Sequence, residues 1–513
     1  MIFYYFRLMV ILLLCISLFS CSSSEETEDI IVPKPIQLEA PSLSSFGFSS
    51  VKNGNQLIDD VKGEIIGDSV VECWIPNICE DKNLVPEMSY NGDTILLNDA
   101  LYGGGYFNFS KPVKLVVTKN NLCKEYTVNV HSFTGLPIVW IETEWRNDIV
   151  SKENYYNATM RVVEDVVTRS PGDVVETTIK IRGRGNSSWL FADKKSYRIK
   201  CDEKISVFGE HKDKDWVMIA NYFDKTSLRN ITAFYMGTLS ILDYTPHFHF
   251  VELMKNGKYH GQYLFGEKLK INGHRVNVGD DGYLLEIDER AVDEGATYFR
   301  VKHLKQPVNI KDPDMTIDSE PYQYIKKFIS TADSVLFSDS FSDKSNGWQK
   351  YMDMDSFVDW YLINEIARNG DAVLYTSCYM NMKRNGKLKM GPIWDFDVAF
   401  GNNTNPNVYP YEGFYIKNST WYERLFEDPA FVSRVKERFA YFYSKKDQII
   451  NEINENARYL RYSVVEDNNK WGYFYTPTFA NNDVWGNYYN EVTCFKQWLI
   501  NRFEWLNSNI ANL

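Results

Sequence analysis

The spacing of apolar and polar residues divides the chain into a β-rich first part and a mixed second part. From about residue 36 to residue 134, short segments alternate apolar with polar side chains, as in Tyr126-Thr127-Val128-Asn129-Val130, which is the period of a half-buried strand. Val113 to Thr118 and Tyr126 to Val130 flank residues 119–122 and are predicted to form a hairpin. The pattern predicts a small all-β sandwich over residues 36–135. We expect it to be a spacer, with ligand binding as the alternative.

Beyond residue 135 strands alternate with helices, which predicts an α+β region. An apolar series over residues 325–336 follows Ser319 and predicts a capped amphipathic helix. A second helix, capped by Asp355, is predicted to run to Ala367 and to end near Asn369-Gly370. From about Asn403 the chain is predicted to be mainly helical, because bulky apolar residues recur at helical spacing.

Acidic side chains stand at both ends of one predicted hairpin. Asp371 precedes a strand over residues 375–383, and Asp395 and Asp397 follow the return strand over residues 388–393. Because the two outer ends of a hairpin lie at the same edge, we expect Asp371 to lie near Asp395. Three carboxylates in one pocket repel unless a cation intervenes, and Mg²⁺ prefers such oxygens. The sequence therefore predicts a metal site, with a capped turn or a structural Ca²⁺ site as the alternative.

A basic cluster lies upstream, in residues 182–189 and 194–200. Arg184 and Lys195 are the candidates for binding phosphate, since a loop of glycine, hydroxyl and basic residues suits that ligand. A solvated basic hairpin is the alternative. Glu267 ends another predicted strand and could pair with a phosphate-binding lysine, while an exposed ion pair is the default interpretation.

Chain length, net charge and cysteine spacing limit the number of domains and exclude some classes of partner and motif. A chain of 513 residues predicts two or three domains, and its net charge of −12 and pI near 5.3 argue against nucleic-acid partners. The eight cysteines contain no CxxC pair, which leaves zinc-ribbon and thioredoxin-type motifs without support. Cys73 and Cys79 form either a small disulfide loop or buried free thiols.

The first residues predict a targeting signal. Residues 1–21 combine Arg7, an apolar run and Cys21, and they resemble a bacterial lipoprotein signal peptide with a lipobox, cleaved so that Cys21 carries the lipid. An ordinary signal peptide is the alternative. Residues 22–35 are predicted to be an acidic tether similar to those of Bacteroidetes surface lipoproteins. We therefore expect an outer-membrane or cell-surface lipoprotein that contacts the membrane through this lipid only.

Together these segments resemble the CotH kinase-like family. The resemblance rests on Arg182-Gly183-Arg184-Gly185-Asn186-Ser187-Ser188-Trp189, on Asn369-Gly370-Asp371, and above all on Met390 to Asn402, which contains Trp394-Asp395-Phe396-Asp397. It covers roughly residues 138–445. It implies an atypical protein-kinase-like domain with a helical C-terminal part over residues 136–513.

The resemblance also implies ATP and Mg²⁺ or Mn²⁺ as cofactors and a secreted or surface protein as phosphoryl acceptor. Asp371 would then orient or deprotonate the acceptor hydroxyl, and Asp395 and Asp397 would hold the metal. Arg184, Lys195 and Glu267 would form the cofactor-binding set.

The sequence departs from ordinary protein kinases. Five positions after Asp371 stands Thr376 instead of the asparagine that would hold a second metal, and Asn369 or Asn402 is a candidate substitute. A non-catalytic surface binding protein or adhesin on the same fold is the alternative function. A glycoside hydrolase using two of the aspartates ranks last.

Overall fold

The computed structural model describes residues 39–54, 56–57, 60–75, 82–132, 134–164, 174–479, 481 and 483–513. The predicted signal peptide with Cys21, the predicted tether and Cys79 lie outside these residues. Cys73 is buried and free. None of the described helices is both long enough and apolar enough to span a membrane.

The described residues before 133 form β-strands, which are β1 Ser42–Phe48, β2 Val61–Lys62, β3 Glu64–Ile66, β4 Val70–Ile75, β5 Asn83–Leu84, β6 Pro86–Asn91, β7 Thr94–Leu97, β8 Ala100–Leu101, β9 Phe107–Asn108, β10 Val113–Lys119 and β11 Leu122–Ser132. A three-stranded sheet (β2-β1-β6) and a six-stranded sheet (β3-β4-β11-β10-β7-β8) bury side chains in one core, for example Phe46, Val71 and Val128. The predicted hairpin is present as β10 and β11, with Val113 opposite Val128. The sandwich topology and the bounds of this module stay predictions.

Seven strands then close into a barrel, namely β12 Ile138–Thr143, β13 Tyr156–Val163, β14 Val174–Arg184, β15 Ser196–Ile205, β16 Asp213–Ile219, β17 Phe248–Lys255 and β18 Lys258–Glu267. Neighbours are antiparallel except β12 and β17, whose parallel pairing closes the barrel. Successive side chains of a strand point to opposite faces. Accordingly Ile181, Trp216 and Phe265 pack in the barrel core, while Val217 and Leu264 join the core of the following region.

A second sheet follows, with strand order β20-β21-β19-β22-β23. Its strands are β19 Tyr283–Ile287, β20 Tyr298–Phe299, β21 Val308–Asp312, β22 Cys378–Met382 and β23 Lys389–Met390. The predicted hairpin between Asp371 and Asp395 is β22 and β23, and both strands are shorter than predicted.

The helices of the described residues are α1 Ser187–Phe191, α2 Arg229–Thr238, α3 Glu320–Leu336, α4 Met354–Ala367, α5 Thr420–Leu425, α6 Pro429–Ser444, α7 Lys446–Leu460, α8 Ser463–Trp471 and α9 Tyr488–Asn509. Helix α3 begins after Ser319, whose side chain caps Tyr322 N, as predicted. The α+β class is thus confirmed.

Helix α4 lies at the centre of the helical part, because every residue from Ser356 to Ala367 is buried. Its cap differs from the prediction: Asp353, not Asp355, accepts the hydrogen bond from Ser356 N. The left-handed residue that ends the helix is Arg368, one position before the predicted Asn369-Gly370 stop.

Candidate functional site

A cavity of about 1250 Å³ lies between the outer face of barrel strands β14 to β16 and the second sheet with its adjoining helices. Its lining brings together segments that are far apart in sequence. Its charged members include Arg184, Arg198, Lys268, Glu286, Asp288, Lys311, Asp371, Asp395 and Asp397. The three predicted aspartates therefore do share one cavity, together with Arg184.

Asp371 is positioned by the end of helix α4. It sits in a single helical turn, Gly370–Ala372, whose N-cap is Asn369. The Asn369 amide accepts a hydrogen bond from Asp371 N at 3.3 Å and donates one to the Asp395 carbonyl at 3.2 Å. This one buried side chain therefore links the backbone of both aspartate segments.

Asp395 and Asp397 lie in an irregular segment after β23. Asp395 has a left-handed backbone, with φ of 69°, and its Oδ2 accepts a hydrogen bond from the Ser377 hydroxyl at 3.1 Å. Phe396 N donates to Asn230 Oδ1 at 2.8 Å, which ties the segment to helix α2. A left-handed aspartate costs backbone energy, and such strain persists where the surroundings fix it, as at many functional sites.

The aspartates affect each other's protonation. Burial, followed by the negative charge of Asp395, raises the pKa of Asp371 to about 7. Burial also raises the pKa of Asp397 well above its ordinary range, and the charges of Asp395, Asp224 and Asp371 act in the same direction. All three side chains still keep part of their surface open to the cavity. The pocket thus concentrates negative charge where solvent or a ligand can reach it.

The donor set fits a hard divalent cation. Carboxylate oxygens from three aspartates converge, and among the ion pairs of the described residues none involves Asp371, Asp395 or Asp397. Among the described residues, the positive charge that opposes the rise in the pKa of Asp371 is that of Arg290. Mg²⁺ and Mn²⁺ take such oxygen ligands and retain waters, so the residues present suit either ion.

Arg184, Arg198 and Lys268 form a basic part of the cavity lining, the basic wall. Arg184 lies over the Trp394 ring at 5.3 Å, and Arg198 is 3.8 Å from Asp215. Lys268 forms no ion pair within the described part of the chain, and burial, followed by the charge of Arg198, lowers its pKa to about 8. A desolvated ammonium beside two guanidinium groups is a suitable site for an anion such as phosphate.

The glycines of the basic motif have a packing role. A Cβ on Gly183 would lie 2.1 Å from the Trp189 ring, so only glycine lets Trp189 pack against strand β14. Gly185 has φ of +96°, where a side chain would be strained, and it begins the turn into α1. The motif thus shapes the short helix α1, whose Ser187 and Ser188 line the cavity.

Two predicted cofactor-binding residues are not among those that line the cavity. Lys195 donates to the Trp189 carbonyl at 2.7 Å and lies over the same ring. Glu267 is buried, accepts from Arg275 Nε at 3.2 Å, and also accepts from the Tyr244 hydroxyl at 2.8 Å. The structure does not bring either residue to the three aspartates.

The two candidate asparagines are engaged elsewhere. Asn402 donates to the carbonyls of Phe223 and Asp397 and accepts from Asn481 at 2.6 Å, and Asn369 holds the backbone links described above. Neither lines the cavity. Thr376 does, and its hydroxyl donates to Asp288 at 2.9 Å.

Sequence reasoning missed Lys268, Arg198, Asp288 and the ion pair between Lys311 and the buried Glu286, whose atoms are 2.9 Å apart. A signal for Lys268 was present. Strand β18 alternates, with Tyr263 and Phe265 in the barrel core, so Glu267 continues that face and Lys268 points outward. Asp288 carries no comparable local signal, because only the packing of the second sheet brings it to the cavity.

Comparisons with known proteins complete the description of the site. A comparison with curated proteins finds no match. Among solved structures, one from Bacteroides thetaiotaomicron VPI-5482, provisionally named a glycoside hydrolase, shares 16% identity; the match covers 35% of this chain and 52% of that chain, with a TM-score of 0.15. The match thus spans about half the length of that protein, and its TM-score is too low to assign a fold or an activity.

A family profile gives the assignment. The profile described as CotH kinase protein matches residues 181–506, well over half of the chain and including the basic motif and all three aspartates. This chain therefore belongs to the CotH kinase protein family.

Proposed function

We propose that this chain is a lipid-anchored atypical protein kinase that transfers the γ-phosphoryl group of ATP to serine or threonine of secreted or surface proteins. The domain concerned is residues 136–513, with a kinase-like arrangement of its barrel and helical parts. The observation that carries the proposal is that Asp371, Asp395 and Asp397 line one cavity together with the basic side chains of Arg184, Arg198 and Lys268. A scaffold used only for adhesion has no need for carboxylates held together at an electrostatic cost.

The basic wall is the phosphate-binding side. Arg184, Arg198 and Lys268 would contact the phosphates of ATP, and the low dielectric around them strengthens each contact. Asp395 and Asp397 would hold Mg²⁺ or Mn²⁺. When bound, the cation supplies positive charge to the phosphate oxygens as negative charge builds up on the leaving group.

Asp371 is the proposed base. Its raised pKa, about 7, suits a carboxylate that must accept a proton near neutral pH. The bond from the acceptor oxygen to the γ-phosphorus forms while the bond from that phosphorus to the β,γ-bridging oxygen breaks. ADP leaves, and the hydroxyl proton passes to the Asp371 carboxylate.

Incubation of the full-length chain in detergent with labelled ATP, Mg²⁺ or Mn²⁺ and a casein-type acceptor tests the activity. We expect Asp371→Asn to lower label transfer at least about 100-fold while ATP binding, followed by a melting shift, persists. We expect Asp395→Asn to lose both label transfer and cation-dependent ATP binding. Equal transfer by wild type and both variants contradicts the assigned roles.

The basic cluster offers a matched control. Lys268→Met should weaken ATP binding, whereas Lys195→Met, which removes a lysine directed at Trp189 instead of the cavity, should leave it unchanged. If the two variants behave alike, the assignment of the phosphate wall is wrong. If the wild-type chain shows no ATP binding at all, the non-catalytic binding-protein alternative replaces the kinase proposal.

We also propose that the chain is a bacterial surface lipoprotein attached through Cys21. The support is the sequence alone: an apolar run followed by a cysteine and an acidic segment. Cells fed a labelled fatty acid should incorporate it into the wild-type chain and not into Cys21→Ala. Labelling of Cys21→Ala at the wild-type level contradicts the anchor.

A further inference from the structure

Outside the cavity, histidine and glutamate side chains from three segments meet at one end of the barrel. His247 immediately precedes strand β17, Glu267 ends strand β18, and Glu210 belongs to the loop between β15 and β16. One ligand atom from each of these three side chains lies within 4.8 Å of the other two. None of the three lines the cavity.

We propose that Glu210, His247 and Glu267 bind a divalent transition-metal ion, for which Zn²⁺ is the best chemical match. Imidazole nitrogen and carboxylate oxygen are the ligands that Zn²⁺ takes together. The proposal does not depend on the kinase activity, because none of the three side chains lines the cavity that holds the aspartates.

The separations between donor atoms suit a small ion. His247 Nδ1 is 2.8 Å from Glu210 Oε2 and 3.8 Å from Glu267 Oε2. Ligands at roughly 2.0–2.1 Å from a tetrahedral zinc lie about 3.3 Å apart, which falls between these two values. Small side-chain rotations therefore convert the present contacts into a coordination shell.

The backbone holds the ligands in place without the ion. His247 N donates to Glu267 Oε2 at 3.1 Å, and Glu267 N donates to the His247 carbonyl at 3.1 Å. His249 Nε2 lies 3.0 Å from Glu210 Oε1, and its ring stacks on Phe208. Partners of this kind orient metal ligands in known sites, so His249 is the positioning residue for Glu210.

The net charge of this cluster and its exposure to solvent also favour the binding of a cation. The two carboxylates face one guanidinium, that of Arg275, which pairs with Glu267 Oε1, so a negative charge remains when His247 and His249 are neutral. The His247 side chain is 53% exposed, so an ion can enter from solvent. Three protein ligands leave the fourth position to water.

The test uses the full-length chain, stripped of metal by a chelator and titrated with Zn²⁺ in a calorimeter. With Mg²⁺ in excess to occupy the aspartate pocket, we expect one equivalent of Zn²⁺ to bind to the wild type, with affinity lowered at least about tenfold in His247→Ala and in Glu210→Gln. Asp395→Asn, which alters the cavity, should retain the site. His131→Ala is the matched control, since His131 forms a similar pair with a single carboxylate, Glu72, at 2.6 Å.

A second measurement needs no variant and so is independent of folding defects. Zn²⁺ should protect His247 from carbethoxylation, measured by mass spectrometry, while His131 is modified equally with and without the metal. Unchanged modification of His247 overturns the proposal. So does zinc binding that survives His247→Ala and disappears in Asp395→Asn, because the ion would then occupy the aspartate pocket.

Discussion

The helical core and the cavity both contain buried acidic residues, and they differ in what neutralises the charge. In the core, fully buried Glu365 accepts from Arg502 at 2.7 Å and from Ile416 N at 2.8 Å. In the cavity, Asp395 and Asp397 have no such cation among the described residues. An ion pair within the chain neutralises the core carboxylate. No ion pair of the described residues neutralises the two cavity carboxylates, so a cation from outside the chain can fill that role.

A buried carboxylate at the barrel is neutralised in a third way. Glu252 is fully buried and accepts hydrogen bonds from Ser463 at 2.7 Å and from Tyr259 at 2.8 Å, with the Thr134 hydroxyl also in contact. Burial dominates and raises its pKa to about 7, so protonation neutralises it. The comparison shows that a buried acid enclosed by an ion pair or by several hydrogen-bond donors is structural, whereas acids that share an open cavity without an ion pair mark a ligand site.

The largest expected effect is in the core. Arg502→Met leaves Glu365 buried without its cation, and we expect the free energy of unfolding to fall by about 3–5 kcal/mol, measured by urea denaturation. The double variant Arg502→Met/Glu365→Gln should recover part of this loss. A single variant as stable as wild type would mean that hydrogen bonds alone satisfy Glu365.

The core also shows how far the sequence predicts the fold. Helix α3 and the β10–β11 hairpin follow from local signals, a serine cap and an asparagine turn. The barrel does not, because its closing pair joins Ile138 to Glu252, far away in sequence. The cap of α4 was misplaced by two residues because both Asp353 and Asp355 can cap, and burial on all sides removes the periodicity that would choose between them.

For the site, the predicted hairpin correctly implies that Asp371 and Asp395 lie in one cavity. The basic wall cannot be predicted in the same way, since the direction of a lysine side chain depends on strand alternation and packing. Lys195 is predicted as a phosphate ligand from its position in a basic motif, yet it packs on Trp189, and Lys268 lines the cavity instead. The partners of Glu267 come from outside its strand, Arg275 from the loop after it and Tyr244 from the segment before β17, so no local pattern reveals them.

The second largest expected effect is the pH dependence of the free energy of unfolding that Glu252 causes. Its folded pKa of about 7 exceeds the ordinary 4.5, so between these values the folded state binds more protons than the unfolded state. The contribution of Glu252 to stability is therefore present at pH 4 and is lost as pH rises to 7. Relative to Glu252→Gln, wild type should lose on the order of 3 kcal/mol over this interval, measured by urea unfolding at several pH values. A difference that does not change with pH contradicts protonation of Glu252.

The third effect is stabilisation by the cation. If Mg²⁺ supplies the missing positive charge, a concentration of 100 times its dissociation constant should raise the free energy of unfolding by about 2.7 kcal/mol. Asp395→Asn should respond much less, as judged by thermal unfolding with Mg²⁺ or chelator. Lys195→Met, which changes a side chain directed at Trp189 and outside the cavity, is the control and should respond as wild type does. Equal responses in all three proteins would place the ion elsewhere.

The smallest expected effect is a gain in the free energy of unfolding, opposite in sign to the loss expected for Arg502→Met. In chelator, Asp397→Asn removes a carboxyl group that burial and three neighbouring carboxylates oppose, and asparagine has nearly the same shape. We therefore expect the free energy of unfolding to rise by about 1 kcal/mol in urea denaturation, while cation-dependent ATP binding is lost. Loss of stability would mean that an unrecognised partner already compensates Asp397, and the contrast between core and cavity would fail. A gain in stability with lost binding would identify Asp397 as a residue retained for its ligand at the expense of the fold.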